Sequence, residues 1–238
     1  MKRTTDISPI LDRHPSFIRG SVIATDIDNA CSSPELELLL TQAIVAARSN
    51  PIDLDTDPLT ARWKELYRQL EVNPNKFPPA HCNLLKRLQK PDAMLPFINK
   101  VVAIMNINSI DGKIPVGGDD LALIGSRLEL RYANGSECFT PLGAGDALEH
   151  PDPGEVIYVC ADKGEVMCRR WNWRNSSHTA ITERTRTIAI NIDGLGTDCQ
   201  STVINVRDRI ADMLTQYCGA STSTALLDID NPTFEFFA

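Results

Sequence analysis

The residues best equipped for chemistry lie in the stretch CRRWNWRNS, from Cys168 to Ser176. An indole offers a broad apolar face and a single donor, and a guanidinium stacks on such a face while keeping its N–H groups free. Arg170, Trp171, Asn172 and Trp173 therefore suit a wall that contacts something flat and polar. Read as a strand, the stretch places Arg169, Trp171 and Trp173 on one face and Arg170, Asn172 and Arg174 on the other. The plain alternative is a tryptophan-anchored edge strand overlaid by arginines.

A second group is PVGGDD, from Pro115 to Asp120. Gly117 and Gly118 let a ligand or another strand approach the backbone, and Asp119 and Asp120 supply negative charge; a turn with aspartate as turn former explains the same residues. Asn106, Asn108 and Ser109 fall at an expected helix end, where they can donate to a carbonyl or a ribose hydroxyl, or simply cap the helix. Ser177 and His178 lie in a polar run just after the tryptophans, with His178 a candidate general base. Cys168 would be a nucleophile only if the neighbouring arginines lowered its pKa. The sequence contains no GxSxG elbow, P-loop or dinucleotide fingerprint, so acyl-enzyme, NTPase and Rossmann chemistry are unsupported.

The totals restrict the partners. A net charge of −7 argues against a general nucleic-acid binder, and DNA is not an expected partner. Two local basic patches remain, with seven Lys or Arg against two Glu between residues 61 and 90, and five Arg against one Glu between 169 and 186. Such patches can hold one defined nucleic-acid element. The seven scattered cysteines, Cys31 among them, and the four separated histidines lack metal-site spacing. Reduced thiols in a cytoplasmic protein are expected, with no metal, no cofactor and no membrane association. The acidic run Asp53, Asp55, Asp57 lacks the glycine and glutamate of a calcium loop.

Several elements can position these groups. Ser16–Asp26 has the β-branched content of a strand. Ser33-Pro34-Glu35 and Asp57-Pro58 announce two helices, the first running to about Arg48 and the second burying Trp63, Leu66, Tyr67 and Leu70. Prolines at 74, 78 and 79 precede a helix over 80–89, and Ile98–Ile107 is the next. Strands are expected at 128–133, 155–161, 166–173, 187–193 and 225–229, with an amphipathic helix over 203–218. Helices first and strands later give an α+β fold of mixed and antiparallel sheets with flanking helices, read as one domain over 1–238 with its core at about 60–195.

Seven segments occur in a recognisable order: YRQLEVNPNKFPPA (67–80), NKVVAIMNINS (99–109), PVGGDDL (115–121), LELRYANGSECF (128–139), PDPGEVIY (151–158), CRRWNWRNS (168–176) and TERTRTIAINIDGL (182–195). From about Ser8 onward the chain resembles the free-standing relatives of the B3/B4 domain, the editing domain of the phenylalanyl-tRNA synthetase beta subunit. The resemblance implies a tRNA-editing type of fold and hydrolysis of the ester of a wrongly charged tRNA. Among free-standing relatives, those that remove canavanine from arginine tRNA look most similar. Gly117 stands where the synthetase domain has a histidine, and Ser177 stands where it has a glutamate, with only His178 matching. The synthetase's own chemistry is therefore not carried over.

On this reading the partner is the acceptor end of an aminoacylated tRNA. Asp119 and Asp120 would accept from a planar cationic head, and Trp171 or Trp173 would stack on it. Arg170, Asn172, Ser109 and Ser177 would complete the substrate site. The amides of Gly117 and Gly118, with Asn106 or Asn108, would face the developing oxyanion, and His178 would be the protein base if one is needed. Two alternatives stay open: a tRNA-binding module without catalysis, and a protein that binds a free amino acid in the same pocket.

Overall fold

The computed structural model describes residues 1–30, 32–90, 93–143, 145 and 147–238; Cys31, one of the thiols noted above, lies outside them. Local sequence explains most of the helices. In α2 (Pro34–Ser49), Ser33 caps the N-terminus ahead of a first-position proline, and in α3 (Pro58–Gln69) Asp57 does the same by accepting from the Leu59 and Thr60 amides. The prolines at 78 and 79 delay α4 (Ala80–Leu88), and α5 runs over Lys100–Gly112 behind an Asn99 cap. A one-turn helix α1 (Ser8–Leu11) and a long α6 (Gln200–Cys218) complete the set among the described residues. No helix among them is long and apolar enough to cross a membrane.

The strands form two sheets. A four-stranded sheet has the order β3 (Val116–Asp120), β8 (Ile188–Leu195), β2 (Phe17–Thr25) and β9 (Ser221–Leu227), antiparallel throughout. A six-stranded sheet has the order β10 (Thr233–Phe237), β1 (Lys2–Asp6), β4 (Arg127–Tyr132), β5 (Val156–Cys160), β6 (Glu165–Arg169) and β7 (Arg174–Asn175). Only its β1–β4 pair is parallel. The fold is α+β, as expected.

Strand alternation sorts the residues into layers. In β2, Ile18, Val22 and Ala24 face a helix-side core with Ile188, Ile190 and Ile192 of β8, Leu36 and Leu40 of α2, Ile104 of α5 and Val203 of α6. Helix α6 lies so close to the sheet that a Cβ on Gly194 would come within 2.6 Å of the Val203 side chain. The opposite face of the same strands carries Phe17 and Ile23 of β2 and Ala189 of β8. These meet Leu128, Leu130 and Tyr158 of the other sheet, with Trp63 and Tyr67 of α3 closing one end.

Three expectations need correction. Pro115–Asp120 is not a double-glycine turn: Val116–Asp120 pairs along β8 as the sheet's edge strand. Asn106, Asn108 and Ser109 do not end their helix, because α5 continues to Gly112 and closes with a left-handed Lys113. The tryptophan strand stops at Arg169, and both Arg170 and Trp171 adopt left-handed backbone angles, with φ of 45° and 67°. The expected alternation of Trp171 with Trp173 is broken at that turn.

Candidate functional site

A pocket opens between the two sheets. Its floor is the inner face of the four-stranded sheet, where Gly117 and Asp119 of β3, Asn191 and Asp193 of β8 and Arg19 of β2 lie side by side. Its roof is Tyr158 of β5, Cys168 of β6 and the Trp171–Asn172 turn, with Asn175 and Ala80 beside them. The cavity volume is about 70 Å³. Typical ligand sites run to about 300–1,000 Å³, so only the head of a small molecule can enter.

Arg19 and Asp193 face each other across β2 and β8 and form a buried bidentate pair, Nε to Oδ1 at 2.7 Å and Nη2 to Oδ2 at 3.0 Å. The Arg19 guanidinium lies over the Tyr158 ring, 4.8 Å from its centroid. Burial opposes its charge, but Asp193 outweighs that and raises the Arg19 pKa overall. Asp119 is almost fully buried and has no cationic partner among the described residues; its only side-chain bond comes from the Thr179 hydroxyl at 2.5 Å. Burial pushes its pKa up to about 6 against the pull of Thr179 and Arg19. With Arg19 and Asp193 cancelling, an ionised Asp119 leaves the pocket with one net negative charge. Tyr158 is pushed up to about 12 by burial and stays a neutral phenol.

Five side chains of the wall carry a buried polar atom without a hydrogen-bond partner: Arg19 Nη1, Tyr158 OH, Trp171 Nε1, Asn172 Nδ2 and Asn191 Oδ1. Buried polar atoms are ordinarily satisfied, so a cluster of them around one cavity is chemistry suited to a ligand or ordered water. The roof is held under strain. Two non-glycine residues with positive φ are kept in place by the Trp171 amide bonding Val156 O at 2.7 Å and the Arg170 amide bonding Glu155 at 3.1 Å. The Tyr67 hydroxyl adds bonds to Arg170 O and to Asn172 Oδ1.

Of the residues singled out from sequence, Gly117, Gly118, Asp119, Trp171 and Asn172 are brought together in this pocket. Gly117 has nothing within 4 Å of where a Cβ would sit, whereas a Cβ on Gly118 would meet Met105 at 2.9 Å, on the helix side. The Asp193 amide donates to Pro115 O, so ladder alternation commits the Gly117 amide to Asn191 and turns the Gly118 amide toward the open edge.

The others lie elsewhere. Asp120 caps a short 3₁₀ turn through the Ala122 amide and accepts from Thr185. Asn108 is buried against Ile104 O and Met213, and Ser109 donates to Ile114 O; Asn106 is not part of the wall. His178 is exposed, Ser177 donates to Thr140 O, and neither lines the pocket. Trp171 is buried among His14, Phe17 and Trp63, while Trp173 packs outside against Phe77. Arg170 is held by Asp152 and Glu155. Cys168 does line the wall, but burial raises its thiol pKa, the opposite of what a nucleophile needs.

Sequence reading missed Arg19, Tyr158, Asn191 and Asp193. A signal was available for three of them: Arg19, Asn191 and Asp193 interrupt strongly apolar strands, and a buried charge needs an opposite partner.

Among solved structures, an N-terminal fragment of the phenylalanyl-tRNA synthetase beta subunit from Pyrococcus horikoshii resembles the chain at 10% identity and a TM-score of 0.45, over 92% of this chain and 49% of that one. The chain thus spans about half the length of that fragment. No match was found among curated proteins. The sequence matches the B3/4 domain over residues 62–219, and this share of its 238 residues makes the chain a member of the B3/4 domain family.

Proposed function

We propose that this B3/4 protein is a trans-acting deacylase that hydrolyses the ester of a mischarged tRNA, with canavanyl-tRNA of arginine as the favoured substrate. The observation that carries this reading is the small inter-sheet pocket with two buried carboxylates, of which Asp193 is paired with Arg19 and Asp119 forms no ion pair among the described residues. A guanidinium-like head entering beneath Gly117 would supply Asp119 with a cation, and it would find an acceptor in Asn191 and π-faces in Trp171 and Tyr158. Canavanine and arginine differ by one oxygen in place of a methylene. A synthetase pocket separates such isosteres poorly, which is where a second sieve is useful.

The ester is already activated, so a positioned water and donors for the oxyanion suffice. The outward Gly118 amide and the unpartnered donors of Asn172 and Trp171 are the candidates for that role. Water adds to the ester carbonyl carbon, the bond to the ribose oxygen breaks, and the departing oxygen takes a proton. The neighbouring ribose hydroxyl can orient the water. The wall holds no His, Ser or Thr among the described residues, which also favours the second reading of a binding module without catalysis.

A panel of mischarged tRNAs separates the two. Expected is release of canavanine from arginine tRNA faster than release of arginine, abolished by Gly117→Val and largely retained by His178→Ala and Ser177→Ala. Binding without ester loss in any member of the panel would establish the module and refute the deacylase. Loss of turnover in His178→Ala with tRNA binding intact would require a protein base in place of the ribose hydroxyl.

A further inference from the structure

The two basic segments noted in the sequence converge at one edge of the pocket. Phe77, from the first, meets Trp173, from the second, ring edge to ring face at 4.8 Å and 80°, and both rings are half-buried. Cations interleave with them. The Arg170 guanidinium lies 3.9 Å from the Phe77 centroid and 5.0 Å from Trp173, Arg174 lies 5.9 Å from Trp173, and Lys76 lies 5.1 Å from Phe77. Arg170 is offset by Asp152 and Glu155, but Lys76 and Arg174 have no carboxylate within ion-pair range among the described residues. The patch adjoins the pocket, because Asn172 and Asn175, on either side of Trp173 in the chain, both line it, as does Ala80 just after Phe77.

We propose that Phe77 and Trp173, with Lys76 and Arg174, form the platform on which an unpaired nucleotide of an RNA strand stacks at the mouth of the pocket. Aromatic faces with interleaved cations are the chemistry that holds single strands: the ring takes a base and the free cations take its phosphates. The chain's net charge of −7 argues against nucleic-acid binding spread over its whole surface. The inference rests on the reading that the pocket receives the charged end of an RNA.

The test uses the full chain with a short, unstructured oligoribonucleotide that carries no amino acid and with the same strand as a duplex. The single strand is expected to bind more tightly and to quench tryptophan fluorescence. Trp173→Ala is expected to weaken it about tenfold, in line with one stacked base. Trp173→Phe should abolish the quenching while keeping part of the affinity, and Arg174→Gln should flatten the dependence of log affinity on log salt by about 0.7. Unchanged thermal melting of the Phe and Gln variants keeps these readouts free of folding defects. The platform is refuted by absence of single-strand binding in the wild type, by duplex binding of equal strength, or by equal affinity in Trp173→Ala. Trp173-dependent strand binding by a protein that leaves every mischarged tRNA intact would instead refute the deacylase and keep the platform.

Discussion

Asp119 and Asp120 are chemically identical neighbours with different fates, because successive strand residues point to opposite faces. Asp120 is spent on a cap and a threonine, while Asp119 faces the pocket and forms no ion pair among the described residues. Its raised pKa carries a sign that can be tested. A carboxyl pushed up to about 6 in the fold, from the ordinary aspartate value of 3.8 that it has when unfolded, holds its proton more tightly in the fold. Its contribution to stability is therefore full below the unfolded value and is lost as pH rises through about 6. Asp119→Asn removes that loss. The variant is expected to melt above wild type at pH 8, by at most about 3 kcal/mol in stability, with the gain shrinking as pH falls from about 6 toward 4. It should also bind a guanidinium ligand more weakly than wild type at pH 8, and the wild type should lose that affinity as pH falls through about 6. Melting curves and calorimetric titrations across this range read both effects; a variant less stable than wild type at pH 8 would contradict the assignment of Asp119 as an unpaired buried acid.

At the scale of elements, β3 is decisive. Its two glycines look equivalent in sequence, yet one faces a cavity and the other a helix. Gly117 has open space where a Cβ would go, and Gly118 is closed in by Met105 of α5 at 2.9 Å, with Ile181 and Ile190 both at 3.2 Å. Gly117→Val is thus expected to keep the wild-type stability within about 0.5 kcal/mol while losing pocket binding. Gly118→Val should destabilise by about 1–3 kcal/mol through overpacking, with the pocket chemistry spared in the folded fraction. Denaturant titration beside a ligand-binding assay distinguishes them, and the reverse pattern would mean that the strand is registered one residue away from its place here. The helices were legible because their signals are local: Ser33-Pro34 and Asp57-Pro58 start α2 and α3 as read. The tryptophan segment was misread because alternation presumes continuous extension. The left-handed pair at Arg170 and Trp171 is enforced by contacts from Tyr67 and Val156, distant in the chain, that no local pattern announces.

Across the whole molecule, the six-stranded sheet is sewn together by its ends. Strand β1 sits between β10 and β4, and Arg3 reaches Leu121 O at 2.6 Å. Deleting Lys2–Asp6 would leave facing edges of β10 and β4 unpaired. A melting temperature lower by about 10 °C is expected, since about 1 kcal/mol moves a chain of this size by about 2–4 °C. Self-association should rise, because open edges pair with other copies. Differential scanning calorimetry and sedimentation measure both, and a truncated chain that melts like the full one would show that β1 adds nothing to the sheet.

The sequence by itself determined the α+β class, most helix starts, the inner strands and the ordered segments that carry the B3/4 family, because capping, periodicity and residue order are written within a few neighbours. It also contained Gly117, Asp119, Trp171 and Asn172, though without their partners. Only the tertiary structure decided which of these meet and what each one faces. Strand β1, KRTTD, has no apolar residue to announce it and exists because two partners flank it. Arg19 and Asp193 lie 174 residues apart in the chain yet share two hydrogen bonds. A pocket between sheets is made of such long-range pairings, and its chemistry follows from burial, which belongs to the folded whole.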